Sequence, residues 1–202
     1  GKSTLINTLL RLVYFDGQIH INGHCIRDIS TFELRRNFLN IIPQSPVLFN
    51  GTVRENLCLL LNDNQHHDDH ELWQVLDLVG LGCLVRSFEL GIDQPIIDGK
   101  TISVGQKQLL CLSRALLRKS KILLMDEATA GIDPATDQLI QETIRYEFFN
   151  CTVLTIAHRL KTIVNADKII VIDRGQNVEE GTHDELIAMK KNYWKLHNSG
   201  ES

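Results

Sequence analysis

Apolar residues recur along this chain at two spacings, and the switches between them mark out its elements. Over residues 2–13, Leu5, Ile6, Leu9, Leu12 and Val13 fall at helical intervals and predict a helix. Gln18-Ile19-His20-Ile21 alternates polar with apolar and predicts a strand, which Asn22-Gly23 closes with a turn. Ser30 with Glu33 has capping-box spacing ahead of a short helix over about 32–37. Asn40-Ile41-Ile42 predicts a short strand ending at Pro43-Gln44. From Gly51 to about Arg86 the pattern is mostly helical, with an amphipathic stretch over 72–79 and loops rich in Asn, Asp and His.

Residues 107–119 predict a further helix, and it leads into Ile122-Leu123-Leu124-Met125, an apolar run without alternation, as in a strand buried on both faces. A helix over 134–148, a strand over 152–157 and a short helix from Arg159 follow. Strands over 168–173 and 177–180 flank Arg174-Gly175, and Thr182 with Glu185 caps a final helix running toward Trp194. Strands alternating with helices predict an α/β fold with a mainly parallel sheet. The section over about 51–120 reads as a helical subdomain within a single domain covering 1–202.

Composition narrows the function classes. The formal net charge is −4 and Lys and Arg are scattered, which leaves no basic face for nucleic acid. No apolar stretch is long enough to span a bilayer, and no signal peptide is visible. The 5 cysteines are widely spaced without a C-x-x-C pair, a pattern that favours reduced thiols in the cytosol. His66-His67-Asp68-Asp69-His70 invites a metal reading, but a polar loop with an acidic helix start explains it better.

The chemistry concentrates in a few places. Gly1-Lys2-Ser3-Thr4 is the closing half of the phosphate loop G-x-x-x-x-G-K-[ST], so the chain is expected to begin inside a motif and to be a piece of a longer protein. Lys2 suits the β- and γ-phosphates of a nucleotide, and the Ser3 hydroxyl suits Mg²⁺. Ile102-Ser103-Val104-Gly105-Gln106 places a Ser-x-Gly turn at a helix N-terminus, where backbone N–H groups attract an anion. Asp126 ends the buried strand and fits the same metal, while Glu127 beside it is placed to polarise water for in-line attack on the γ-phosphate. Gln44 carries an amide able to touch metal and water, and His158 ends the strand over 152–157 at the expected edge of the sheet.

In order, these segments resemble the nucleotide-binding domain of an ATP-binding cassette (ABC) transporter over essentially the whole chain. Gly51-Thr52-Val53-Arg54-Glu55-Asn56-Leu57 after Pro46-Val47-Leu48-Phe49 is similar to exporter-type domains. Ile-Ile-Pro-Gln-Ser-Pro-Val-Leu-Phe and Ser-Val-Gly-Gln-Lys-Gln-Leu-Leu-Cys-Leu most resemble subfamily C, the multidrug-resistance-associated type. Glu127 makes it look like the second of the two domains such proteins carry. The resemblance implies a phosphate-loop NTPase core and a helical subdomain bearing the signature. It implies ATP and Mg²⁺ as cofactors, with Gly1, Lys2, Ser3 and Thr4 on ATP and Ser3, Gln44 and Asp126 at the metal.

It further implies hydrolysis with Glu127, His158 and Gln44 as catalytic residues, powering transport across a membrane, in the export direction. Partners would be a second nucleotide-binding domain, met head to tail, and transmembrane domains of the same transporter, with no nucleic acid. Ser103, Val104, Gly105 and Gln106 would bind the ATP held by that second domain, and Asp133 would lie at the seam. Residues 44–56 would contact the membrane part, and the domain would sit on the cytosolic face. Departures from the family pattern are Ile102 for Leu, Asp98-Gly99-Lys100 for a Glu-Gly-Gly-like segment, and Gly131 for alanine. The alternative on the same fold is an ATP-binding regulatory switch or gate with little turnover. A soluble ABC protein of translation or DNA repair fits less well, since it lacks the exporter-like segment and needs a basic face. A GTPase would need an N-K-x-D motif, and Asn165-Ala166-Asp167-Lys168 has the wrong order.

Overall fold

The computed structural model describes residues 1–59, 68–97, 102–126, 131–157 and 160–199. In chain order the elements are α1 (Lys2–Leu9), β1 (His20–Ile21), β2 (His24–Cys25), α2 (Thr31–Glu33), β3 (Leu39–Ile42), β4 (Gly51–Thr52) and α3 (Val53–Cys58). Then come α4 (Asp69–Leu78), α5 (Gly82–Arg86), β5 (Pro95–Ile96), α6 (Val104–Arg118), β6 (Ile122–Asp126) and α7 (Pro134–Glu147). The chain closes with β7 (Thr152–Ile156), β8 (Ile169–Asp173), β9 (Gln176–Gly181), α8 (His183–Met189) and α9 (Asn192–Ser199). Two compact units result, Gly1–Gly17 with Thr155–Ser202, and Gln18–Leu154.

In the second unit the mainly parallel sheet is present where the apolar run predicts it. β3 pairs parallel with β6, Leu39 opposite Ile122 and Ile42 opposite Met125. Both strands are largely buried, which is why neither alternates. The start of β7 extends the sheet, its Thr152 N–H donating to the Lys121 carbonyl at 2.9 Å. The antiparallel pairs, β1 with β2 and β4 with β5, are short. Asn22 and Gly23 hold the first hairpin with φ of 51° and 82°, as a two-residue turn requires.

Helix α6 is the spine of this unit. Its Leu109, Leu110, Leu112, Ala115 and Leu117 are buried against Val53 and Leu57 of α3, Leu72 and Leu76 of α4, and Ile42, Leu123 and Met125 of the sheet. Polar anchors accompany the apolar stripe. Asn40 Nδ2 donates to the Ala115 carbonyl at 2.8 Å, and Arg118 donates to the carbonyls of Arg35 and Arg36. Those carbonyls belong to a π-helical turn, Leu34–Phe38, that continues from α2 and replaces the expected simple helix. The Ser30 hydroxyl accepts the Glu33 N–H, as its spacing predicts.

In the first unit, Ile169 and Val171 of β8 pack with Leu186 of α8 and Tyr193 of α9. β8 and β9 form an antiparallel hairpin through Arg174 and Gly175, with φ of 47° and 79°. The single final helix of the sequence reading is in fact two. Lys190 takes the left-handed conformation, φ 52°, and the buried Glu179 carboxylate accepts the N–H groups of Asn192 and Tyr193 at 2.6 and 3.1 Å. A carboxylate at that point starts a new helix by satisfying its orphan donors. Likewise α1 stops at Leu9, not Val13, because Leu12 and Val13 stay 59% and 38% exposed and give the helix nothing to bury.

One interaction invites a direct stability test. Asn56, 1% exposed, accepts from Phe49 N–H and from Arg114 through Oδ1, and donates through Nδ2 to the carbonyls of Phe49 and Thr52. Asn56→Ala strands several buried groups at about 1–3 kcal/mol each, so urea unfolding should show a loss on the order of 3 kcal/mol. A loss under about 1 kcal/mol would mean that water replaces the amide.

Candidate functional site

Asp126 closes β6 directly after the buried Leu123, Leu124 and Met125. Since Met125 stands opposite Ile42 in a parallel pair, Asp126 and the Pro43-Gln44 turn leave the sheet at the same carboxyl edge. Ligands of open α/β sheets bind at that edge. Asp126 is half-buried and Gln44 exposed, which suits an oxygen ligand and an amide within reach of one. Glu127 lies outside the described residues, as does His158.

The signature turn is built more firmly than its glycine suggests. Ser103 is the N-cap of α6, its hydroxyl accepting the Gln106 N–H at 3.2 Å while Gln106 Oε1 accepts the Ser103 N–H at 2.8 Å. This reciprocal box holds the exposed Ser103 and Val104 at the head of the spine helix. A Cβ on Gly105 would meet Thr136 Cγ2 at 3.3 Å and Ile132 Cγ2 at 3.6 Å, so glycine permits the close approach of α7. The structure thereby brings the signature beside the start of α7, where Asp133 is the N-cap. Its carboxylate accepts the Thr136 N–H at 3.0 Å, and that backbone bond, then the Thr136 hydroxyl, holds its pKa below the usual carboxylate range.

In the first unit Lys2 opens α1, and Gly1 is its N-cap. Lys2 Nζ donates to the Ala157 carbonyl at 3.3 Å, which joins Lys2 to the residue just after β7. Ser3 and Thr4 are exposed in the first turn, where backbone donors and helix dipole favour an anion. A hydroxyl on Ser3, a carboxylate on Asp126 and an amide oxygen on Gln44 are hard ligands of the kind Mg²⁺ takes. Asp68 caps α4 and Asp69 and Glu71 occupy its first turn, so that part of the histidine-rich run is a helix start. His66 and His67 lie outside the described residues.

Gln106, which the sequence marks as part of the Ser103 segment, also closes the capping box, a role its S-x-x-Q spacing signals. Two supporting residues carry no such signal. Gln108, 1% exposed, donates from Nε2 to the Pro43 carbonyl at 3.0 Å, while its Oε1 is buried without a partner among the described residues. Arg114 donates to the carbonyls of Val47 and Asn56 at 2.7 and 2.6 Å and to Asn56 Oδ1 at 2.7 Å, and burial pushes its pKa down. Nothing in the local sequence marks these long-range bonds. Arg54 is clamped between Asp69 and Asp93, whose hydrogen bonds raise its pKa.

Comparison with known proteins agrees with the family resemblance. The family described as "ABC transporter" matches residues 1–130. The chain is 49% identical over 189 residues to the human ATP-binding cassette sub-family C member 2, covering 93% of this chain and 12% of that protein. It is 49% identical over 189 residues to ABC transporter C family member 6 of Arabidopsis thaliana, covering 93% of this chain and 13% of that protein. The chain thus spans roughly an eighth of the length of these relatives. A bacterial Atm1-family ABC exporter, solved with ATP bound, superposes with a TM-score of 0.90 at 32% identity, covering 100% of this chain and 35% of that one.

The capping role of Asp133 separates from its charge. Asp133→Asn keeps an acceptor for the Thr136 N–H and should melt near wild type, whereas Asp133→Ala should melt lower. Because the folded carboxyl titrates below its unfolded value of about 3.9, its contribution is present above that pH and lost as pH falls through the folded value. Melts from pH 7 to 2 should therefore show a smaller acid-side loss at this site for the Asn variant, and equal profiles would refute the charged cap.

Proposed function

Since the chain belongs to the ABC transporter family, and its core is the α/β fold of phosphate-loop NTPases, we propose that it binds and hydrolyses ATP to drive a membrane transporter. The observation that carries this reading is the pairing, in one chain, of the Lys2-Ser3 phosphate loop with the Ser103 turn at the head of α6. Each half binds phosphate in a different way, and neither completes a site alone. Two such domains, set head to tail, would each lend Ser103 and Gly105 to the ATP held by the other.

Lys2 exchanges its bond to the Ala157 carbonyl for the β- and γ-phosphates. Gly1 and the first turn of α1 supply backbone N–H groups, with the Ser3 and Thr4 hydroxyls beside them. Ser3, Asp126 and Gln44 each carry an oxygen that would ligate Mg²⁺, which would neutralise charge on the phosphate oxygens. Glu127 takes a proton from the attacking water, Gln44 orients that water, and His158 stabilises the γ-phosphate as charge moves onto it. Ser103, Val104, Gly105 and Gln106 close on the partner's γ-phosphate, and Asp133, which follows the Ile132 that lies against Gly105, sits at the seam.

The exposed Val47 and Phe49 give residues 44–56 an apolar surface for transmembrane domains of the same transporter. No described helix is long and apolar enough to cross a membrane. On this reading the domain works at the cytosolic face of a membrane protein, as the second nucleotide-binding domain of a subfamily C exporter.

In the full-length transporter, Glu127→Gln should leave ATP affinity within about twofold while phosphate release falls by roughly 10²–10⁴-fold. Unchanged release would remove Glu127 as the base, and binding without turnover in the wild type would favour an ATP-gated switch. Ser103→Arg should abolish ATP-dependent pairing of the domains and spare binding at the chain's own phosphate loop. Surviving pairing would refute the trans-acting signature.

A further inference from the structure

Gln44 is suspended from the helix that the signature begins. Its turn is the tetrapeptide Pro43-Gln44-Ser45-Pro46, and the backbone is tied to α6 on both sides. Upstream, Gln108 Nε2 holds the Pro43 carbonyl at 3.0 Å, and downstream Arg114 Nη1 holds the Val47 carbonyl at 2.7 Å. Both anchors come from one rigid helix, roughly 6 and 15 Å along its axis from Val104 at 1.5 Å per residue. The two prolines fix their own φ, so less of a displacement of the anchors is absorbed between them and more of it passes to Gln44.

The anchors are not ordinary packing. Gln108 is 1% exposed, yet its Oε1 has no partner among the described residues, so an apolar side chain of similar size would fill the space without a stranded acceptor. What the amide contributes is its bond to Pro43. Arg114 is a buried cation whose pKa burial lowers, and it sits on the neutral oxygens of Val47 and Asn56. The same Asn56 closes on Phe49, so the anchored stretch continues through the turn to Phe49.

We propose that Gln108 and Arg114 are positioning residues for Gln44, through which engagement of Ser103 by a partner's nucleotide sets the amide of the same chain's own site. This rests on the hydrolase reading above and adds a direction of communication within one chain. Signature and Gln44 serve different nucleotides, and α6 is the solid link between them.

The test uses the full-length transporter and amide hydrogen exchange as well as turnover. In the Glu127→Gln background, ATP should protect the amides of Gln44, Ser45 and Val47 together with those of Val104 and Gly105. Adding Gln108→Met should abolish protection at Gln44 to Val47 while leaving it at Val104 and Gly105. Joint protection in the Met variant would overturn the proposal. With Glu127 intact, Gln108→Met and Arg114→Lys should lower kcat on the order of 10–100-fold with ATP affinity within about twofold, as misplacement of a catalytic group does. In a cycle with Gln44→Ala, Gln108→Met should cause no further fall, and additive losses would show a merely structural residue. A wild type without turnover would sink the hydrolase reading but leave the exchange experiment to decide the anchors.

Discussion

Arg114 imposes the constraint on which the second unit depends. A guanidinium removed from water must find oxygen for its N–H groups or destabilise the fold. Here the acceptors are backbone carbonyls and one amide oxygen from a single segment, at Val47 and Asn56. The segment that follows β3 is therefore drawn onto α6 and cannot drift from it. Asn56 completes the arrangement by pairing with both backbone groups of Phe49 and with Thr52, so one buried asparagine and one buried arginine order a stretch with almost no secondary structure of its own.

The apolar stripe of α6 and these polar anchors divide the labour. Leucines of the stripe supply non-directional stabilisation against α3, α4 and the sheet. The anchors supply register, because Asn40, Gln108, Arg114 and Arg118 each meet a specific backbone oxygen. Parallel pairing of β3 with β6 then places the Gln44 turn and Asp126 on one edge of the sheet. The site residues of this unit owe their common location to that pairing, and their precision to α6.

A small local device recurs at the ends of the helices. In Gly51-Thr52-Val53-Arg54-Glu55 and Gly181-Thr182-His183-Asp184-Glu185 the threonine and glutamate cap each other. A Cβ on either glycine would stand 2.6 or 2.8 Å from the glutamate Oε2, so a larger residue there would push the carboxylate aside. Ser103 and Gln106 use the same reciprocal bonds without the glycine, at the one cap that carries the signature. Each box fixes where a helix starts and hence where its first exposed side chains stand.

Wherever period and caps agree, local sequence is enough to set which segments become strands and helices. The parallel core strand at Ile122-Leu123-Leu124-Met125, the Asn22-Gly23 hairpin and the helix starts at Ser30, Asp133 and Thr182 follow from neighbours a few residues apart, which any window of the chain contains. Candidate chemistry was legible for the same reason, because Gly1-Lys2-Ser3-Thr4, Ser103 to Gln106 and Asp126 are contiguous motifs. Only the tertiary structure decided that α1 stops at Leu9 and that Glu179 divides the last helix at Lys190. It alone decided that Gln108 and Arg114 hold the Gln44 turn from 65 and 67 residues away. Burial and long-range hydrogen bonds set those outcomes, and neither leaves a period or a spacing in the chain.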